Sequence, residues 1–518
     1  MTTKQSIEKV LWSACDSFRG KIDSSRYKDY ILSMLFVKYL SDVYAETREK
    51  YVKQYDGDLR RVERAMSRER FVMDETSTFP YLYNNRNDAE IGQKINVALA
   101  AIENNNSAKL HNVFRAIDFN STVDFGEPKE KNAILKNLLE DFKDLDLRPS
   151  QLNSDDIIGD SYEYMIANFA SDAGKKGGEF YTPNKVSDLV ARLVQPKEND
   201  RIYDATCGSG GLLLKAFKQI PSGKARIYGQ EKNMQTWALC RMNMFLHNVD
   251  DAVIWHGDTL ANPGNIEDDK LMKFQCIVAN PPFSLDKWDS GFLGDAETDA
   301  KGKKPKMSAE LDPYRRFDWG IPPTSKGDYA FVMHMLHSLD DTNGRMGVIL
   351  PHGVLFRGAS EGRIRRTIIE NFNFLDAVIG LPANLFYGAG IPACILIFRK
   401  DRDNNNKVLF IDASGDGNFE KGKNQNILRE CDVERIVNTY KHYKSDINFT
   451  GEDKYSHVAT LEEIKENDYN LNIPRYVDTF EEEKLIDIDE VKQNIANIEA
   501  ELAEVQAQMK KYMEELGL

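Results

Sequence analysis

No apolar run in this chain reaches the about 18 residues that a membrane-spanning helix needs. The opening residues, Met1 to Ser6, carry no signal-peptide apolar core. Cysteine is sparse and scattered, at Cys15, Cys207, Cys240, Cys276, Cys394 and Cys431, with no CxxC pair. That spacing suggests neither a zinc site nor a disulfide framework, and the cytosol is the expected compartment. No GxxxxGK[ST] loop is present, because Gly223-Lys224-Ala225 and Gly422-Lys423-Asn424 lack the hydroxyl residue. A translocating ATPase is thereby excluded. Positive charge is also short: 68 Lys and Arg stand against 82 Asp and Glu, a net charge of −14. A protein that holds nucleic acid unaided normally shows a basic face, so such a role here calls for a basic partner.

What is present is enough for several domains. The chain has 518 residues, 41% of them hydrophobic and 29% charged, a composition of soluble globular proteins. Ser6 to Val43 reads as helical, with Ile31, Leu35, Tyr39 and Val43 among apolar residues recurring at three- and four-residue steps. Ser154 to Phe169 reads likewise, and strand signals are weak before Arg201. Residues 1–150 are therefore expected to form a helical domain, 151–479 an α/β domain, and 480–518 a separate helix. In that last segment Ile488, Val491, Ile495, Ile498, Leu502, Val505, Met509, Tyr512 and Leu516 follow an a/d heptad pattern. Such a pattern buries a narrow seam against another helix and predicts a coiled coil.

The chemistry concentrates at strand tips. Arg201 to Asp204 reads as a strand, followed by the small-residue turn Ala205-Thr206-Cys207-Gly208-Ser209-Gly210-Gly211 and a helix from Leu212. Glycines let a ligand approach the backbone at a helix N-terminus. A second strand, from Ala225, ends beside Glu231, suited to the two hydroxyls of a ribose. A third, Ala252 to His256, ends beside Asp258, suited to an adenine amine. The fourth runs into Ile277-Val278-Ala279-Asn280-Pro281-Pro282-Phe283, where two prolines stop the ladder and leave Asn280 at the tip. The Asn280 carboxamide and the Pro281 carbonyl are acceptors beside the flat Phe283 ring, a set that fits an exocyclic amine on a flat base. Upstream, Glu179-Phe180-Tyr181-Thr182-Pro183-Asn184 follows a glycine-rich run and opens a further helix. In a doubly wound α/β sheet these tips line one crevice.

Asn280 to Phe283 resembles the catalytic motif of amino-methyltransferases that modify adenine N6. The wider chain resembles the M (modification) subunit of type I restriction-modification systems, over roughly Gly177 to Lys400 and again at Asn470 to Tyr476. The resemblance implies a Rossmann-like, S-adenosylmethionine-dependent methyltransferase sheet, preceded by the helical domain and followed by the coiled-coil helix. It implies methyl transfer from S-adenosyl-L-methionine to N6 of an adenine flipped out of double-stranded DNA. Asn280, Pro281, Pro282 and Phe283 would be catalytic. Glu179, Phe180, Tyr181, Thr182, Pro183, Asn184, Asp204, Gly208, Ser209, Gly210, Gly211, Glu231 and Asp258 would bind the cofactor. The implied partners are a DNA-specificity (S) subunit, with two M subunits to each S, and a restriction (R) subunit whose presence stays open. No metal and no membrane are expected.

Cytosine N4 and protein glutamine are rival acceptors for the same motif, and a noncatalytic subunit keeping the fold is a third reading. Ser284 to Lys326 is an insert read either as a mobile flap that touches DNA or as a solvated loop. His352 is taken as structural. Ile368 to Ile379, Leu381 to Phe386 and Ala393 to Arg399 are expected to complete the sheet.

Overall fold

The helical start is two helices rather than one. In the computed structural model α1 spans Lys4–Phe18 and α2 spans Ser24–Gln54. The first is capped by Thr3, whose hydroxyl accepts the Ser6 N–H at 3.2 Å while Ser6 Oγ accepts the Thr3 N–H at 3.0 Å. Residues 1–154, 156–173, 181–293, 306–388, 390–402, 406–479 and 488–517 are described. Helices α3 (Ile91–Asn105), α4 (Pro128–Phe142) and α5 (Ile157–Ala173) continue the N-terminal layer. Their buried faces share one core with the next domain, since Phe36 of α2 meets Phe245 with ring centroids 6.2 Å apart.

The α/β portion begins with α6 (Asn184–Val194). It continues with β1 (Arg201–Asp204), α7 (Gly211–Lys218), β2 (Arg226–Glu231), α8 (Met234–Leu246), β3 (Val253–His256) and β4 (Cys276–Ala279). Next come α9 (Asp328–Ser338), β5 (Arg345–Pro351), α10 (Ala359–Arg366), β6 (Leu375–Gly380), β7 (Ala393–Arg399) and β8 (Val408–Asp412). Then α11 (Glu430–Ser445) leads to β9 (Gly451–Glu452) and β10 (Ser456–Ala459). These strands form one ten-stranded sheet in the order β9-β10-β8-β6-β7-β5-β4-β1-β2-β3. From β3 to β5 all neighbours are parallel, and β7 is inserted antiparallel between β5 and β6. The central strands are buried along their whole length, as a sheet covered on both faces requires. The expected Rossmann-like α/β sheet with a helical N-terminal region is therefore what the chain forms.

Two expected strand assignments differ. Thr367–Asn371 forms a short π-helix, and the strand starts only at Leu375. Leu381 to Phe386 is a loop, because Pro382 and the left-handed Asn384 (φ 55°) cannot continue a ladder. The described part of the 284–326 insert is packed rather than flap-like. Trp288, Met307 and Phe317 are buried there, and the fully buried Arg316 donates to the Thr259 and Leu260 carbonyls at 3.3 and 2.6 Å. Lys301, Lys303 and Lys304 of that insert lie outside the described residues.

Met1–Val477 and Asp478–Leu518 are separate compact units. The second contains α12 (Ile488–Glu515), on which Val491, Ile495, Ile498, Leu502, Val505, Met509 and Tyr512 are all exposed. No described helix is long and apolar enough to cross a membrane.

Candidate active site

Sheet order reverses between β1 and β4, which are neighbours although three crossovers separate them in the chain. The carboxyl ends of strands flanking such a reversal are where an open α/β sheet binds ligands. Here those ends carry Asp204 and its glycine turn on one side and Asn280 on the other. Between them lies a cleft whose empty space, open solvent included, is about 350 Å³. Tyr181, Thr182, Asp204, Gly208, Ser209, Gly211 and Asn280 line it.

The turn is shaped by sterics. Gly210 caps α7 in a left-handed conformation, φ 84°, and a Cβ there would sit 2.5 Å from Met244 Cε and 2.8 Å from Cys240 Sγ. A glycine is therefore required both by the backbone and by the neighbours. Glu231, at the β2 tip, grips this turn from the side. One of its oxygens accepts the Gly208 N–H at 3.0 Å, and the other accepts the Asn233 N–H at 2.7 Å. Burial raises the Glu231 carboxyl above its ordinary value, and these backbone donors pull against that. Asp204 is buried and accepts the Thr206 N–H at 2.8 Å. Burial first, and the Glu231 charge further, push its carboxyl from 3.8 up to about 8 despite the Thr206 donor.

Asp258 stands at the β3 tip but does not line the cleft. One oxygen accepts the Leu260 and Ala261 N–H groups at 3.0 and 3.2 Å, and the other holds the Lys232 ammonium at 2.8 Å. To accept from a ligand amine it would have to release Lys232. The buried Gln230 fixes the same loop and was not foreseen. Its amide donates to the Gly257 and Asn262 carbonyls at 3.2 and 2.9 Å and accepts the Gly264 N–H at 2.9 Å.

On the other wall the structure pairs residues 98 positions apart. Asn280 Nδ2 donates to Thr182 Oγ1 at 3.0 Å, so the helix-opening Thr182 turns the carboxamide. Asn280 Oδ1 is buried and has no hydrogen-bond partner. A buried acceptor left unpaired is costly, about 1–3 kcal/mol, and such an atom marks a place for a donor. Pro281 is buried and Pro282 and Phe283 are half-buried. The Phe283 ring meets Phe386 edge-on at 5.7 Å, and Tyr387 meets Tyr181 at 6.0 Å. Phe386, the last residue of the segment expected as a strand, and the following Tyr387 thus reach Phe283 and Tyr181. Their only sequence signal was an aromatic pair in a Gly- and Pro-bounded segment. Pro183 and Asn184 begin α6 behind the cleft, while Glu179 and Phe180 lie outside the described residues.

His352 donates from Nε2 to the Ala393 carbonyl at 3.0 Å, and burial lowers its basicity. Asp156, Asp160 and His247 converge elsewhere as potential metal ligands, but Lys218 already lies between the two carboxylates at 2.5 and 3.3 Å.

With this geometry established, comparison with known proteins places it. The N-6 DNA methylase family model matches residues 153–485, and the HsdM N-terminal domain model matches 7–142. The type I restriction enzyme MpnII methylase subunit of Mycoplasma pneumoniae is 31% identical over 99% of this chain and 96% of its own length. The HindI methylase subunit of Haemophilus influenzae is 32% identical over 71% of this chain and 80% of its own. Among solved structures, the type I restriction-modification methyltransferase subunit of Streptococcus thermophilus superposes with a TM-score of 0.76. It is 35% identical and covers 92% of this chain and 100% of its own.

Proposed function

Because the chain belongs to the N-6 DNA methylase family, as a methylase subunit of the type I restriction kind, we propose that it methylates adenine N6 in double-stranded DNA with S-adenosyl-L-methionine as methyl donor. The observation that carries the reading is the unpaired Asn280 Oδ1 beside the glycine-turn cleft. The residues fit the cofactor: the glycine turn leaves room at a helix N-terminus, and Glu231 and Asp204 supply acceptors where a nucleoside's hydroxyls would lie. When bound, S-adenosylmethionine supplies an electrophilic methyl on its sulfonium. Tyr181, Thr182, Gly208, Ser209 and Gly211 would form the walls that hold it, with Pro183 and Asn184 opening the helix beside them. Gly210 would keep the turn open, and Asp258 would serve the purine end once Lys232 moves aside.

An N6 amine is inaccessible within a duplex, so the target adenine is extruded into the cleft. Asn280 Oδ1 accepts one amine N–H and the Pro281 carbonyl accepts the other. This aims the nitrogen lone pair and stabilises the positive charge that grows on nitrogen. Pro282 stiffens the turn and Phe283 stacks the base. Much of the rate comes from alignment, since well-oriented reactants gain several orders of magnitude.

The net charge of −14 supports delivery of DNA by a basic partner, a DNA-specificity subunit. The exposed heptad seam of α12 is the surface we assign to it, two methylase chains to each specificity subunit, with a restriction subunit able to join. The working division is 1–150 helical, 151–479 catalytic and 480–518 docking, in a cytoplasmic protein. The test is purification from the native host with its associated subunits, then incubation with duplex DNA and S-adenosylmethionine. Mass spectrometry of the nucleosides should show N6-methyladenine. N4-methylcytosine, or no modified base beside a methylated protein, would overturn the reading.

A further inference from the structure

The Asn280–Phe283 turn leaves its strand into Ser284, whose φ of 53° lies in the left-handed region. A serine in that region is strained and persists only where its surroundings hold it. The holder is Asp328, in the first turn of α9 and fully buried. Its Oδ1 accepts the Ser284 N–H at 2.8 Å, and its Oδ2 accepts the Ser284 hydroxyl at 3.4 Å. Arg357, from the segment following β5, donates to the same Oδ2 at 2.6 Å and pairs with the buried Glu361 at 3.0 Å. A buried carboxylate needs such a partner.

Around this pair the two ends of the insert are fastened together. Gly327 N–H donates to the Leu285 carbonyl at 3.0 Å, Lys287 N–H to Thr324 at 2.8 Å, and the Trp288 indole to Pro323 at 3.0 Å. Any side chain at Gly327 would press on Trp288 and Leu285, with a Cβ at 3.0 and 3.2 Å from theirs. The insert is therefore closed at its base, and Asp328 stands where that closure meets the catalytic turn.

We propose that Asp328, held by Arg357, is a positioning residue for methyl transfer: it fixes the exit of the Asn280–Phe283 turn so that the carboxamide and the Phe283 ring keep their places. The inference rests on the methyltransferase reading above. It assigns no contact of Asp328 with substrate or cofactor, so its signature is loss of rate and of base capture with cofactor binding kept.

The test compares Asp328→Ala, Asp328→Asn and Arg357→Gln in the purified complex, on a duplex carrying its recognition sequence. Asp328→Ala is expected to lower kcat about 100-fold, the scale set by a misplacement of about 1 Å. Its S-adenosylmethionine Kd should stay within about twofold. Asp328→Asn keeps an oxygen for the Ser284 N–H and should recover part of the loss. Arg357→Gln, on a side chain that is 21% exposed, should fall in between and guards against misfolding of the alanine variant. A duplex with 2-aminopurine at the target should give weaker fluorescence enhancement with each variant in the same order. Wild-type kcat in the variants, or cofactor affinity and Tm falling in step with activity, would overturn the assignment. Failure of the wild-type complex to form N6-methyladenine would instead sink the functional reading.

Discussion

The two walls of the cleft are built on opposite principles. On the glycine-turn wall the carboxylates are already engaged by backbone N–H groups: Glu231 by Gly208 and Asn233, Asp204 by Thr206. On the opposite wall Asn280 has one atom tied to Thr182 and the other left without a partner. The first wall is part of the local fold, so a substitution there changes shape and affinity together. The second holds its key atom in reserve, so a substitution there should change rate alone.

Asn280→Ala gives the largest expected effect and the sharpest form of that contrast. It should lower methylation at least about 100–1,000-fold, the loss typical of removing one oriented polar group from a reacting centre. Calorimetry should find S-adenosylmethionine binding unchanged. Near-normal N6-methyladenine formation would break the comparison outright. Removal of residues 487–518 touches neither wall. It should leave cofactor affinity intact while methylation disappears, because the compact unit Met1–Val477 keeps the whole cleft. Size-exclusion chromatography of the truncated chain with its specificity subunit would show no complex. Assembly and methylation at the normal rate would mean that the exposed heptad seam has another use.

Glu231→Ala probes the glycine-turn wall. A hydrogen bond to a charged group is worth about 1.5–3 kcal/mol, so S-adenosylmethionine should bind roughly tenfold to a hundredfold more weakly. The Gly208 and Asn233 donors also lose their acceptor, so Tm should fall as well, which Asn280→Ala should not cause. Thr182→Val has a smaller effect. It removes the acceptor for Asn280 Nδ2 while keeping the shape, and should reduce kcat roughly fivefold, about 1 kcal/mol, with a rise in Kd of no more than similar size, since Thr182 also lines the cleft.

The sequence made strand tips legible because function there is local. A run of apolar residues ending in glycines or prolines is both the strand and its functional tip, so Asp204, Glu231 and Asn280 could be ordered along the chain before any fold was seen. The helix at Asn184 was legible for the same reason. What was not legible depends on pairing across long separations. Nothing within Ala393–Arg399 says that it runs antiparallel between β5 and β6. The Thr182–Asn280 bond and the Ser284–Asp328 clasp join residues that no local pattern relates. Leu381 to Phe386 has strand-like composition, yet Pro382 and the turn at Asn384 make it a loop. The Asp, Gly, Lys and Pro content of the insert allows either a flap or a solvated loop, while its anchors are single residues such as Arg316 and Trp288.

The smallest effect concerns Asp204, at the tip of β1 in the cleft lining. Burial pushes its carboxyl from 3.8 to about 8. In the unfolded chain the group loses its proton near pH 4. Between those values the folded state binds a proton that the unfolded state has released. Stability therefore declines as pH rises through that window and is flat below it. Asn at this position has no proton to lose. It retains an oxygen for the Thr206 N–H, so Asp204→Asn should flatten the dependence. Thermal melts of the cofactor-free protein at pH 5 and pH 8 should show the variant gaining a few degrees over wild type at pH 8 and little at pH 5. Equal shifts at both pH values would mean that Asp204 is ionised in the folded state throughout. The glycine-turn wall would then hold a standing negative charge rather than a proton.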